Sequence, residues 1–208
     1  MAHKISYFDA KFISILFHPL LIPTWAYLLI AFQGNLMVLQ IPQDALWLIG
    51  GMVFTISAVI PALIILLMFR LRIISSLSMY VREDRTGPVV IAALFFYLTY
   101  YMLNELQFAP VFGFYMLGAS SLAIVSMFIN FWWKISLHLI AFGGFTGALT
   151  SLASHVNEIY IFNLIVVVLL SGFVGYARLK LRAHQPSEVY AGFLLGFAFM
   201  YLIFLLIY

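Results

Sequence analysis

Charged residues divide the chain into seven long uncharged intervals: 12–43, 45–69, 86–104, 106–133, 135–157, 159–177 and 189–208. The two shortest, 86–104 and 159–177, still hold 19 residues, and Leu, Ile, Val, Phe, Ala and Met dominate every one. A helix crossing bilayer hydrocarbon needs about 20 apolar residues. Backbone polar groups at that depth must be satisfied within their own segment, so the intervals read as helices. The short alternating strands of a membrane β-barrel are absent. The pattern predicts helices near 13–32, 45–69, 88–103, 110–131, 135–153, 159–177 and 188–208, the third being the shortest. The fold expected is all-α, a polytopic membrane helical bundle of about seven transmembrane helices. It forms a single integral membrane domain over 1–208, with no linker long enough to carry a soluble domain. The first interval is long and interrupted by Pro19 and Pro23, and no small-residue cleavage site follows it. It reads as a retained helix rather than a signal peptide.

Composition agrees with this pattern. Sixty-five per cent of residues are hydrophobic and 8% charged, whereas a water-soluble domain needs roughly a quarter charged to cover its surface. With no cysteine, disulfides and thiolate chemistry are excluded. A net charge of +3 is too small to suggest nucleic acid as a partner.

Placement of charge says more than its amount. Seven crossings assign the loops alternately to two sides. All ten basic residues (Lys4, Lys11, Arg70, Arg72, Arg82, Arg85, Lys134, Arg178, Lys180 and Arg182) then fall on the N-terminal side. Asp44, Glu105, Glu158 and His155 fall on the other, with no Lys or Arg. Basic loops mark the cytoplasmic face, which accounts for Lys4, Lys11, Arg70 and Arg72 as topology alone.

Three loops of the basic side carry more than topology. They are Arg82-Glu83-Asp84-Arg85-Thr86-Gly87-Pro88, then Lys134-Ile135-Ser136-Leu137-His138, then the run from Arg178 through His184 to Glu188. Arg and Lys side chains converging from separate loops form an anion clamp, and guanidinium forks match phosphate oxygens in pairs. His138 and His184 supply imidazoles suited to proton transfer or attack on phosphorus near neutral pH. Glu188 lies four residues after His184; a helix beginning at Ser187 or earlier lets the carboxylate fold back and orient the ring. Ser136 precedes His138 near a helix N-terminus, where free amides favour anions.

The third loop resembles the third signature of the type 2 phosphatidic acid phosphatase superfamily, Ser-Arg-x5-His-x3-Asp, across the 16 positions from Ala177 to Gly192. The second resembles that family's Pro-Ser-Gly-His signature with Ser136 and His138 retained. The first resembles the end of Lys-x6-Arg-Pro, with Arg85 in place and the proline delayed to Pro88. Order and spacing also agree, with 53 residues from Arg85 to His138 and 40 from His138 to Arg178. The similarity covers the catalytic core, about 80–208 at its widest, and leaves out the first two helices. It departs from the family where Glu188 replaces Asp, where Ile135 and Leu137 replace Pro and Gly, and where Ser78 stands at the spacing of the signature Lys.

The resemblance implies a metal-independent phosphohydrolase of lipid phosphates, with no cofactor. Phosphatidic acid, phosphatidylglycerol phosphate and polyprenyl diphosphate are the substrate types it implies. It makes His184 the nucleophile that becomes phosphohistidine, Glu188 its orienter and His138 the general acid. Arg85 and Arg178 hold the phosphoryl group with Ser136 assisting, and Arg82 stands in for the missing Lys. Two other readings remain open: a metal hydrolase using His138, His184 and Glu188 as ligands, and a lipid-binding or transport protein that has lost turnover. By analogy the protein resides in a bacterial cytoplasmic membrane; family members carry the site on the periplasmic or lumenal face, whereas charge places it on the cytoplasmic face. Lys180 and Arg182 read as interfacial side chains reaching for headgroups. Gly143, Gly144, Gly147 and Ala148 read as a close-packing face. His18, followed by Pro19, reads as a neutral ring near a proline-freed carbonyl and is left outside the site.

Overall fold

The computed structural model describes residues 6–31, 42–77, 79, 81–108, 110–155 and 160–207, without the side chains of His155 and Tyr160. Lys4, Ser78, Glu158 and the His155 side chain, named above, lie outside the described residues. The described chain is all helical, with no strand among its residues, and seven stretches are long and apolar enough to cross a membrane. They are Tyr7–Ala31, Gln43–Arg70, Glu83–Glu105, Pro110–Asn130, Leu137–Ser154, Ile161–Lys180 and Pro186–Ile207. Large apolar side chains stand outward along them, Leu48, Phe162, Leu194 and Leu206 among the most exposed. In water such a surface would drive aggregation; against lipid tails it is the natural outer layer. The chain is an integral membrane protein.

The first stretch is not the continuous helix that its hydropathy predicts. Helix α1, Tyr7–Leu16, opens on a capping box in which the Asp9 amide donates to Ser6 Oγ and the Ser6 amide to Asp9 Oδ2. It stops at Phe17, and a 3-10 turn at Pro19–Leu21 precedes α2, Ile22–Ala31. Proline explains the break: its ring collides with the carbonyl four residues back and it has no N–H to donate. The second stretch answers its proline differently. Helix α3, Gln43–Phe54, runs through a π-helical turn at Thr55–Val59 into α4, Ile60–Arg70. The wider turn, with the Ile60 amide donating to the Thr55 carbonyl, absorbs Pro61 without ending the span.

The remaining helices are α5, Thr86–Glu105; α6, Pro110–Asn130; α7, Leu137–His155; α8, Tyr160–Lys180; and α9, Pro186–Ile207. They sort into two compact units. One holds residues 1–19 and 133–208, hence α1, α7, α8 and α9; the other holds residues 20–132, hence α2 to α6.

In the first unit α7 lies against both α8 and α9, and α1 packs on α8. The α7–α9 contact is set by glycines. A Cβ on Gly143 would strike the Phe193 carbonyl, one on Gly147 the Phe197 carbonyl, and one on Gly196 the Ile140 carbonyl. The missing side chains let the two backbones touch, the small-residue packing that replaces the hydrophobic effect inside a bilayer. The second unit is cross-braced by hydroxyls. Ser120 Oγ of α6 donates to the Ala93 carbonyl of α5 at 2.8 Å, and the Tyr27 hydroxyl of α2 to the Leu46 carbonyl of α3 at 2.7 Å.

Candidate active site

The glycine seam ends where the site begins. Gly192, a turn and a half into α9, faces the residue just before α7: a Cβ there would lie 2.8 Å from the Ser136 carbonyl oxygen. That approach lets the Ser136 amide donate to the Glu188 carbonyl at 3.2 Å. The start of α7 and the start of α9 are thereby joined by main chain, and His138 and Glu188 ride on the joined ends.

Helix α9 begins with Pro186 at its first position, where the missing N–H would be unpaired anyway. Glu188 therefore sits in the first turn and folds back. Its Oε2 accepts from the Gln185 amide at 3.1 Å and from His184 Nδ1 at 2.8 Å. Both side chains are buried. The carboxylate fixes the ring with Nδ1 as donor, so Nε2 is the nitrogen with nucleophilic capacity. Glu188 thus reaches back to the histidine four residues before it, because the helix starts two residues ahead of it.

His138, the second residue of α7, is also buried. Its Nε2 meets the Ser14 carbonyl of α1 at 3.1 Å, and the His18 ring stands edge-on to it with centroids 5.5 Å apart at 80°. The Arg178 guanidinium and the His18 and His184 rings all lie within electrostatic reach of His138. Arg178, in the last turn of α8, donates from Nη1 to Ser14 Oγ at 3.4 Å, a long hydrogen bond. Ser136 is wholly buried, and its hydroxyl has no hydrogen-bond partner among the described residues. A buried hydroxyl left unmade is costly; here it sits beside the N-terminus of α7, a position that favours negative charge.

The first unit therefore brings together five of the predicted residues: Ser136, His138, Arg178, His184 and Glu188. Arg82 and Arg85 belong to the second unit. Arg85 is buried there and donates from Nε to the Met79 carbonyl at 3.1 Å. Asp84 Oδ2 accepts from the Ser75 amide at 3.0 Å and also from the Ser75 hydroxyl. The carbonyl of Arg82 accepts from Asn130 Nδ2 at 3.0 Å, and its guanidinium pairs loosely with Glu83 at 3.7 Å. Lys180 and Arg182 are exposed. Sequence reasoning missed Ser14 altogether and set His18 aside, although a histidine within a membrane span is a signal in its own right. Among the described residues no three His, Asp or Glu side chains gather as ligands of one metal ion.

These observations define an all-α polytopic integral membrane protein that buries a histidine–carboxylate pair and a second histidine at one end of a four-helix unit. Set against protein-family models, curated protein sequences and solved structures, the chain matches none of them.

Proposed function

We propose that the protein is a lipid-phosphate phosphohydrolase of a bacterial cytoplasmic membrane, working through a phosphohistidine. The observation that carries the proposal is the buried His184–Glu188 pair, Nδ1 to Oε2 at 2.8 Å, which orients Nε2 for attack as an activated nucleophile requires. Around it stand the supports a phosphoryl group needs. They are the Arg178 guanidinium, the N-terminus of α7 with the unpartnered Ser136 hydroxyl, and His138 as proton carrier. The likeness of residues 177–192 to the phosphatase signature points the same way.

In the first step His184 Nε2 attacks phosphorus and the bond to the lipid oxygen breaks, that oxygen taking a proton from His138. Water then attacks the phosphohistidine and gives its proton back to His138, releasing inorganic phosphate and restoring His184. A substrate whose phosphate enters from the leaflet suits a site at the end of spanning helices. The basic loops favour a cytoplasmic position for it.

The test is phosphate release from a panel of lipid phosphates by the purified protein in detergent, with chelator present. Turnover that His184→Ala abolishes is the expected result; turnover that survives this change, or that chelator removes, overturns the assignment. A second reading, binding without turnover, is favoured by one observation: Ile135 and Leu137 stand where the resembled signature has Pro and Gly. Tight binding of lipid phosphate with no release from any member of the panel would support it.

A further inference from the structure

The resemblance to the phosphatase superfamily leaves out the N-terminal helix, yet α1 reaches the middle of the site. A carbonyl oxygen only accepts hydrogen bonds, so the 3.1 Å contact between His138 Nε2 and the Ser14 carbonyl requires a proton on Nε2. The same residue offers its hydroxyl to Arg178 Nη1. One residue of α1 thus meets two side chains of the site, one through main chain and one through side chain. His18, a turn further along, closes over the His138 ring edge-on.

We propose that Ser14 is a positioning residue of this site, its carbonyl holding His138 as the Nε2–H tautomer and its hydroxyl aiming the Arg178 guanidinium. The proposal takes its chemistry from the phosphohydrolase reading and its placement from geometry alone. The two histidines are then oriented in opposite senses. His184 is held at Nδ1 by a carboxylate and reacts at Nε2. His138 is held at Nε2 by a carbonyl and exchanges protons at Nδ1. In the cleavage step the leaving oxygen takes the Nδ1 proton of the imidazolium, a form that the negative charge of the bound phosphoryl group supports. The ring that remains is the neutral Nε2–H form, still bound to Ser14, and its Nδ1 lone pair receives the proton of the attacking water in the second step. A neutral carbonyl suits this role, since it fixes the ring without trapping the positive charge as a carboxylate would.

Two measurements on the full chain test this. The first is nitrogen NMR of histidine-labelled protein in lipid nanodiscs, with the His138 signals identified by their loss in His138→Gln. The neutral ring is expected to carry its proton on Nε2; a proton on Nδ1 overturns the proposal. The second is binding of orthovanadate. Ser14→Ala should weaken it about fivefold, the factor a single net hydrogen bond is worth. The Michaelis constant for lipid phosphate should rise with it while kcat stays within about twofold, and Ser14→Thr, which keeps a hydroxyl, should restore both. Vanadate affinity unchanged in Ser14→Ala overturns the role of the hydroxyl. If the unaltered protein neither binds vanadate nor turns over lipid phosphate, the phosphohydrolase reading fails. The tautomer of His138 still decides whether Ser14 holds it.

Discussion

The backbone amide of Ser136 donates to the backbone carbonyl of Glu188 across 52 positions of sequence. Main chain, not side chains, therefore sets the distance between the segments that carry the two histidines. Glycine makes that approach possible, and the first expectation follows from it.

Alanine at Gly196 would drive its methyl into the Ile140 carbonyl and the Gly144 amide of α7. Forcing bulk into a packed contact costs about 1–3 kcal/mol, so the thermal midpoint in detergent should drop clearly. Activity should fall with it as the start of α9 moves off Ser136. Gly172 of α8 is the control, because a Cβ there meets nothing within 4 Å. Gly172→Ala should leave the midpoint unchanged or raise it slightly.

Glu188→Gln keeps the shape of the side chain but removes the charge that steadies the His184 ring, and an amide can present the wrong group to Nδ1. Loss of an orienting carboxylate lowers turnover by up to about 10⁴-fold in comparable triads; a loss of at least about 10²-fold is expected here, with little change in thermal midpoint. Glu188→Asp shortens the reach by one methylene from a fixed helix start and should also lose activity. Steady-state phosphate release distinguishes these outcomes, and full activity in Glu188→Gln would remove the carboxylate from the mechanism.

Arg85 has a structural duty whatever else it does, since its Nε holds the Met79 carbonyl at 3.1 Å. Arg85→Ala should destabilise the second unit by about 1 kcal/mol, the net worth of one hydrogen bond to a part-buried acceptor. Thermal unfolding should show this even where turnover is not followed. An unchanged midpoint would show that the bond contributes nothing.

Orientation is open to a clean measurement because the chain has no cysteine. Lys180→Cys, at the exposed last residue of α8, should react with an impermeant maleimide only once cells are opened. Leu106→Cys, exposed after α5, should react in intact cells. The reverse pattern would put the basic loops outside and overturn the charge argument.

The spans were legible because hydrocarbon imposes a length and tolerates few charges, and all seven predicted helices have a counterpart. The break after Leu16 was written in Pro19, but the opposite outcome at Pro61 was not, since a proline states a conflict without stating its resolution. The four-residue spacing of His184 and Glu188 was legible, but the expected helix began at 188, and the pairing rests on the earlier start at Pro186 that the structure shows. Gly143 and Gly147 announced a close contact without naming α9 as the partner, because small residues encode proximity and not identity. Ser14 was illegible: it meets His138 from 124 positions away through a carbonyl that every residue possesses. Arg85 was expected at the phosphate, and its bond to the Met79 carbonyl was illegible, because that acceptor is a main-chain group that every residue possesses.

The π-helical turn at Thr55–Val59 has a consequence for the second span. A wider turn adds a residue without adding a rung of normal pitch, so the side chains before and after it fall out of register around the axis. Sequence comparison that assumes one unbroken helical wheel from Gln43 to Arg70 would misplace the faces on one side of the turn. The helix is best read as two wheels, offset at Thr55, each with its own lipid-facing side.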